Sequence, residues 1–324
     1  GVLTPGASNS LIPDLNGGAP IQFAGGVYRL GGGGTGFLNL TGARTATAGA
    51  FSVGVGSGGA AMLGISNGTF TVGTFAVGTT GGTGTVNQSG GSITSSGNQL
   101  LVGNGTGTGI YNLSGGTLTT VASTLGVTVG VNTGSTGTFN LSSGGTLTMP
   151  ATSTLQITRS DNSPANGVTG TFAQTGGTAT VGILQIGGSS AGAGAANANA
   201  NATLNLTGGS FSAVTFNQLS GGSGSTSAIT IGGTAQVTLP AFTGTRTGTA
   251  DITFDSSAVG YLRPNASNAT YMPASTYTSA NLTTNGAKFD TNGFNITIGQ
   301  VLQNAPSQVG TLTKSGAGRL TLTG

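Results

Sequence analysis

The chain has 324 residues, among them 65 glycines, 8 basic and 5 acidic side chains, and its formal net charge is +3. Because it lacks His and Cys, ordinary zinc, haem and copper sites, cysteine nucleophiles and His-based triads are excluded, and we expect no catalytic residue, metal site or cofactor. Basic residues form no cluster of the kind that binds nucleic acid, and no apolar run approaches the ~18 residues of a membrane span.

The high glycine content is compatible with either a disordered polymer or a regular repeat. Disordered chains combine low hydrophobicity with high net charge. Here 35% of the residues are apolar and the mean hydropathy is +0.17. The apolar residues also follow a regular pattern, which favours a folded repeat protein.

Residues 1–36 lack this pattern and contain Pro5, Pro13 and Pro20. The first turn of a stacked fold exposes unpaired backbone unless something covers it. We therefore expect this segment to be an N-terminal cap or a docking segment.

A repeat begins at residue 37. It reads Thr, apolar, polar, apolar, Ser or Thr, Gly-Gly, Thr or Ser, apolar, Thr, with its clearest copies at residues 85–94 and 110–119. The first apolar residues of the copies are Leu38, Leu63, Val86, Tyr111, Phe139, Phe172, Leu204, Ile229 and Ile252. Successive copies lie 23 to 33 residues apart, which is typical of stacked supersecondary units whose loops vary in length.

Each copy carries three short segments in which apolar and polar residues alternate, and no stretch has apolar residues at helical spacing. The pattern predicts an all-β fold, a right-handed parallel β-helix with three strands per rung and roughly a dozen rungs, with glycines at the corners. The residues expected to share one core are Leu113, Leu118, Phe139, Leu141, Leu147, Leu204 and Leu206.

The repeats are predicted to occupy residues 37–255, with two longer turns at 159–170 and 188–202 that we expect to form surface loops. Residues 256–281 depart from the pattern and are predicted to be an irregular loop, followed by C-terminal rungs over 282–324. The loop contains Tyr261, Arg263, Tyr271 and Tyr277. Either these residues form a contact surface for a protein or a sugar, or the tyrosines pack along the side of the rod.

Residues 311–324 read Thr-Leu-Thr-Lys-Ser-Gly-Ala-Gly-Arg-Leu-Thr-Leu-Thr-Gly. This segment resembles the passenger-associated strand repeat of autotransporters and related large bacterial surface proteins. The Asn-Leu-Ser-Gly-Gly-Thr-Leu-Thr copies resemble the looser repeats upstream of it in such chains. The resemblance implies a bacterial β-helix that is exported and displayed outside the cell.

Catalytic chemistry has few candidate residues. Asp251 and Asp255 are the only carboxylates close in sequence, and on one strand they would lie about 13 Å apart, beyond the roughly 5 to 9.5 Å of glycosidase pairs. Ile252 and Phe254 would then point inward, leaving both Asp side chains in solvent. Glycine runs such as residues 31–34 lack the Gly-Lys-Ser/Thr of a phosphate loop. We therefore do not expect an enzyme.

Thr-x-Thr triplets begin at Thr69, Thr117, Thr146 and Thr178. They resemble the flat threonine arrays of ice-binding β-solenoids, in which paired hydroxyl and methyl groups order water. Threonine is also simply favourable at exposed strand positions. The sequence leaves both interpretations open.

The function that these patterns favour is structural, as the shaft of a bacterial extracellular filament or cell-surface fibre. The last strand pattern consists of Leu320, Thr321, Leu322 and Thr323. It contains no Pro or charge cluster that would blunt its edge, so we expect head-to-tail contact with another copy or with the rest of a longer parent chain. The alternative is an adhesin passenger whose protruding loops bind host or matrix glycans.

Overall fold

The chain folds into a parallel β-solenoid, a coil of short strands stacked along one axis. The computed structural model describes residues 21–22, 27–41, 45–122, 125–159, 167–187, 199–219, 224–245, 248–257 and 259–324. Within these ranges it consists of strands, turns and irregular segments, without a helix. The coil makes about 10 turns, so the all-β parallel solenoid is confirmed, with somewhat fewer turns than expected. Its handedness and a strict three strands in every turn stay predictions.

The described part of the chain contains twenty-six strands, and the longest of them bend around corners. They are β1 (Ile21–Gln22), β2 (Val27–Gly32), β3 (Thr35–Leu40), β4 (Thr45–Val55), β5 (Ala60–Ile65), β6 (Thr69–Thr79), β7 (Thr83–Asn104), β8 (Thr108–Thr120), β9 (Val127–Val131), β10 (Thr136–Leu141), β11 (Gly145–Thr148), β12 (Thr154–Arg159), β13 (Thr169–Ile186), β14 (Asn201–Leu219), β15 (Thr226–Gly233), β16 (Gln236–Leu239), β17 (Thr243–Thr245), β18 (Thr249–Ser256), β19 (Tyr261–Pro264), β20 (Asn268–Met272), β21 (Ser279–Leu282), β22 (Ala287–Asp290), β23 (Ile296–Ile298), β24 (Gln303–Asn304), β25 (Leu312–Ser315) and β26 (Leu320–Leu322).

Most strand pairs fall into three ladders, two pairs form a separate sheet, and all pairs among the described residues are parallel. The first ladder joins β3, β5, β7, β8, β10, β13, β14, β15, β18, β21 and β24 in that order. The second ladder joins β1, β4, β6, β7, β8, β11, β13, β14, β16, β19, β22 and β25. The third ladder joins β2, β4, β6, β7, β9, β12, β13, β14 and β17, and a separate sheet joins β20, β23 and β26. The long strands belong to more than one ladder, because each of them continues around a corner of the coil.

The inward side chains of successive turns form one continuous apolar core. Side chains alternate across a strand, so the apolar residue of each alternating pair enters the coil. All seven residues predicted to share a core are at most 1% exposed, which confirms that prediction. Ile252 and Phe254 also point inward, as expected.

Aromatic rings stack along the axis in the middle of the core. The ring of Phe139 lies 4.9 Å from that of Tyr111 and 5.3 Å from that of Phe172, nearly parallel to both. The buried Tyr111 hydroxyl donates to the Gln88 side-chain oxygen at 2.7 Å, and the Gln88 amide donates to the Thr117 carbonyl at 3.0 Å. A buried polar group therefore keeps its hydrogen bonds inside the stack.

Asparagines form a ladder of their own on the outer face of the first ladder. The side-chain amide of Asn112 donates to Asn87 at 2.8 Å, and that of Asn140 donates to Asn112 at 2.8 Å. A side-chain amide can donate and accept at once, as that of Asn112 does here, so the same hydrogen bond repeats from turn to turn. Asparagines at equivalent positions of these three turns are thus hydrogen-bonded to one another.

Two columns of glycines meet where the third ladder passes into the first, and we call them the glycine seam. One column consists of Gly54, Gly78, Gly103 and Gly130, with φ between +67° and +77°. The facing column consists of Gly84, Gly109, Gly137 and Gly170. A Cβ on Gly103 would lie 2.2 Å from the Thr136 carbonyl oxygen, and one on Gly137 would lie 2.4 Å from the Gly130 nitrogen. The seam therefore requires glycine both for its backbone angle and for its close packing.

Thr158 interrupts the first column of the glycine seam, because it takes the next position after Gly130 with a φ of +62°. Gly187 takes the position after Thr158, again with a positive φ of +78°. Within the described residues, the Thr158 hydroxyl is buried without a hydrogen-bond partner. In the facing column, Ala202 pairs with Gly170, so a side chain replaces glycine there.

The structure describes only part of the predicted N-terminal cap and of the two longer turns. Residues 1–20 and 23–26 of the expected cap lie outside the described residues, whereas β1 and β2 within 1–36 already pair with β4. Most of the two expansions, namely 160–166 and 188–198, also lies outside the described residues.

Candidate functional site

The segment 256–281, predicted as an irregular loop, contains β19, β20 and the start of β21. Tyr261 pairs with Gln236, and Leu262 pairs with Val237 on one side and Phe289 on the other. The strands β19 and β21 keep the alternation of inward and outward residues, whereas β20 does not, and the segment lacks the Gly-Gly corner that marks other copies. The segment is therefore part of the coil.

Tyr271 and Tyr277 lie inside the core, with exposures of 0% and 2%. Their rings pack against Phe242, with centroids 5.5 and 6.0 Å away. Burial raises the pKa of both phenols well above the ordinary value. Neither side chain is accessible to a partner, so the interpretation as a contact surface does not apply to these two residues.

Tyr261 and Arg263 stay at the surface, half-buried, and belong to a small polar cluster. The Arg263 guanidinium lies 4.4 Å from the centre of the Tyr261 ring, a cation–π contact. Its Nε donates to an Asp290 carboxylate oxygen at 3.0 Å, and the Tyr261 hydroxyl donates to Gln236 at 3.2 Å. The structure thus brings together only two of the four residues proposed for partner contact.

Asp290 carries a shifted pKa in this cluster. Partial burial alone would raise the pKa, but hydrogen bonds from Arg263 and the Asn292 backbone, with the charge of Lys314 nearby, hold it below the ordinary value. The carboxylate therefore remains ionised and paired at neutral pH. Because the pair is partly exposed, its contribution to stability is about 1 kcal/mol or less.

The two neighbouring carboxylates accept hydrogen bonds from the following turn. Asp251 accepts from the Ser279 hydroxyl at 2.6 Å, and Asp255 accepts from the Asn285 amide at 2.9 Å. The described residues contain no group of three or more His, Cys, Asp or Glu that could hold a metal ion. In the same residues, no helix is long and apolar enough to cross a membrane.

The four residues proposed for end-to-end contact lie at the last described turn. Within the described chain, β26 pairs with β23 alone, and the Thr323 amide donates to the Ile298 carbonyl at 3.0 Å. Leu320 and Thr321 are half-buried, Thr323 is exposed, and Leu322 is 50% exposed. Leu320 and Leu322 pair with the buried Ile296 and Ile298, so they occupy core positions. Within the described residues, no further turn covers these two side chains.

Lys314 occupies an unexpected position in the same turn. It pairs with Phe289, so it takes a core position of the second ladder. Its ammonium is exposed and donates to the Gly316 carbonyl at 2.6 Å. A turn that stacks on this end must therefore either offer the Lys314 ammonium a hydrogen-bond acceptor or push the lysine side chain aside.

The outer face of the second ladder carries two straight columns of hydroxyls, which we call the hydroxyl array. Its six rows are Thr69 with Thr71, Ser92 with Thr94, Thr117 with Thr119, Thr146 with Thr148, Thr178 with Thr180, and Ser210 with Ser212. Each is exposed or half-buried. The sequence pattern identified four of these rows as Thr-x-Thr triplets, but not that they share one face. A search that also allowed Ser would have found the Ser92 and Ser210 rows.

Comparison of the chain with models of protein families, with curated proteins and with solved structures found no match. A functional assignment therefore depends on the fold and on these surfaces.

Proposed function

We propose that the chain is the shaft of a bacterial extracellular filament or surface fibre, with no enzymatic activity. The observation that carries this proposal is the succession of parallel pairs over about 10 turns around one core. Each turn contacts the turns before and after it, so such a coil lengthens without a new kind of contact. The resemblance of residues 311–324 to strand repeats of exported bacterial proteins supports a place at the cell surface or outside the cell.

The distribution of charge supports a structural role. In the described turns between residues 45 and 245, the only charged side chain is Arg159, which is 4% exposed. Backbone pairing and apolar packing, rather than ion pairs, therefore hold this stretch together. Screening by salt has little to act on in such a rod, which suits an environment outside the cell.

End-to-end contact is the assembly mode that this role implies. The strands β24, β25 and β26 each pair on one side within the described chain, and Leu322 is left half exposed. A further turn would complete these ladders, whether it comes from a second copy or from a longer parent chain. Contact between two different surfaces generates an open filament when its rotation does not close a ring.

We expect the purified chain to form unbranched filaments at high concentration, visible by electron microscopy. Leu322→Asp should abolish them, because stacking would then bury an unpaired carboxylate. Val214→Asp is the matched control, since Val214 is similarly exposed, at 56%, but lies on β14, remote from the last turn. Its filaments should be unchanged.

Two further variants locate the contact. Lys314→Leu removes the charge from a core position and should promote assembly, whereas deletion of residues 1–20 should weaken it if they dock onto the last turn. An intact chain that stays monomeric at high concentration would reject self-assembly. Filaments that persist after the deletion would reject a docking role for those residues.

The second candidate function is an adhesin passenger that binds host or matrix glycans. The observation that favours it is the accessible pair of Tyr261 and Arg263, since an aromatic face beside a cation is common at interfaces. Deleting 256–281 would remove core strands, so point substitutions are the appropriate probe. Glycan-array binding that disappears in Tyr261→Ala, with unchanged thermal stability, would support the adhesin over the shaft.

A further inference from the structure

The hydroxyl array is uniform over six successive turns. All twelve outward positions of the second ladder in these turns are Thr or Ser. Neighbouring turns lie about 4.8 Å apart and alternate residues of a strand about 6.6 Å apart, so the side chains form a regular two-dimensional grid. No register shift interrupts the pairs that make up the grid, even though the turns differ in length.

The first ladder shows that this uniformity is not a general property of exposed strand positions. Over the same turns, outward positions of the first ladder include Met62, Ile110, Asn112 and Ala173. The corresponding positions of the third ladder are mostly buried, so they offer no comparison of exposed residues. Strand propensity acts on both exposed faces, so it does not explain why only one of them carries hydroxyls throughout.

The hydroxyls of the array are also uncommitted. Within the described residues, none of the twelve forms a side-chain hydrogen bond to the chain, whereas hydroxyls at the corners, such as those of Ser114, Ser153 and Thr243, bond to backbone carbonyls. The array contains no charged and no aromatic side chain. It therefore presents twelve free hydroxyl groups together with the methyl groups of its nine threonines.

We propose that the hydroxyl array binds an ordered lattice of water at the surface of ice. Free hydroxyls at fixed spacing hold lattice water by hydrogen bonds, and threonine methyls between them exclude disordered water. A rigid sheet loses little conformational entropy when it binds, because its grid is formed in advance. The absence of aromatic rings favours water over a polysaccharide, for which ring faces would offer stacking. The proposal is independent of whether the chain forms filaments.

The test compares two matched pairs of substitutions. Thr119→Lys with Thr148→Lys places two paired lysines at the centre of the array, and Thr138→Lys with Thr171→Lys places two paired lysines on the first ladder. Thr119, Thr138 and Thr171 are half-buried and Thr148 is exposed, so none of the four lysines enters the core, and folding of both variants is checked by thermal denaturation. The readouts are thermal hysteresis, the shape of ice crystals, and the concentration that inhibits ice recrystallisation.

We expect the intact chain and the first-ladder variant to shape ice crystals and inhibit recrystallisation at the same concentration. The array variant should need about tenfold more protein or show no effect, as expected when a central contact is lost. An intact chain without any effect on ice would overturn the proposal. So would equal losses in both variants, or array-dependent binding to crystalline cellulose without binding to ice.

Discussion

Phe139→Asp is expected to unfold several turns of the solenoid. Phe139 is fully buried and stacks between Tyr111 and Phe172. Losing a buried aromatic ring costs about 3 to 5 kcal/mol, and the new carboxylate must either lose its hydration or take up a proton. Because each turn is stabilised by its neighbours, we expect the damage to spread to adjacent turns.

Hydrogen exchange measured turn by turn checks this expectation, together with the thermal midpoint from circular dichroism. Amides of β8, β10 and β13 should lose protection, whereas those of β22 and β23 should keep it. Thr138→Asp is the control for charge alone, since it is the adjacent outward residue and its column carries Asp251 in a later turn. Phe139→Leu is the control for volume, because Leu204 occupies the same core column. If Thr138→Asp were as damaging as Phe139→Asp, burial would not be the cause.

The second large effect is expected for Gly103→Ala in the glycine seam. A left-handed φ costs an alanine about 1 to 2 kcal/mol, and its Cβ would also lie 2.2 Å from the Thr136 carbonyl oxygen. That atom belongs to the backbone of a neighbouring turn, so relief requires moving a whole strand. Overpacking of this kind adds about 1 to 3 kcal/mol, which makes the expected total about 3 kcal/mol or more.

Gly58→Ala separates the two causes. Gly58 has a similar φ of +79°, but an added Cβ would have no atom within 4 Å. Its free energy of unfolding should fall by about 1 to 2 kcal/mol only, the cost of the backbone angle. Chemical denaturation of both variants measures the difference, and equal losses would show that close packing at the seam is unimportant.

The repeat predicted most of the core because apolar residues of a solenoid recur at fixed places relative to Gly-Gly corners. Leu113, Phe139 and Leu204 could be assigned to the interior from that pattern alone. The pattern was weaker beyond residue 256, where Tyr271 and Tyr277 enter the core without a Gly-Gly corner nearby. When the register of a strand is unknown, the sequence does not show whether an aromatic side chain points into the core or into solvent. Both tyrosines were therefore candidates for partner contact as well as for packing.

The surfaces were harder to predict than the core. Periodicity within one strand shows which residues point outward, but the hydroxyl array depends on how strands pair across turns of unequal length. The glycine seam likewise joins residues of different turns, such as Gly103 and Gly137, which approach only after folding. Lys314 could not be placed at a core position from sequence, because its strand alternates Leu, Thr and Lys without a clear apolar face.

The unequal lengths of the turns have a consequence for how such a gene can change. Neighbouring turns are joined by backbone pairing of their strands, and turns from about 23 to 33 residues long pair with each other in this way. Duplication or loss of one repeat would therefore lengthen or shorten the rod by about 4.8 Å and leave every remaining turn with the same kind of neighbour. The length of the solenoid can thus vary by recombination between repeats, without any redesign of its core.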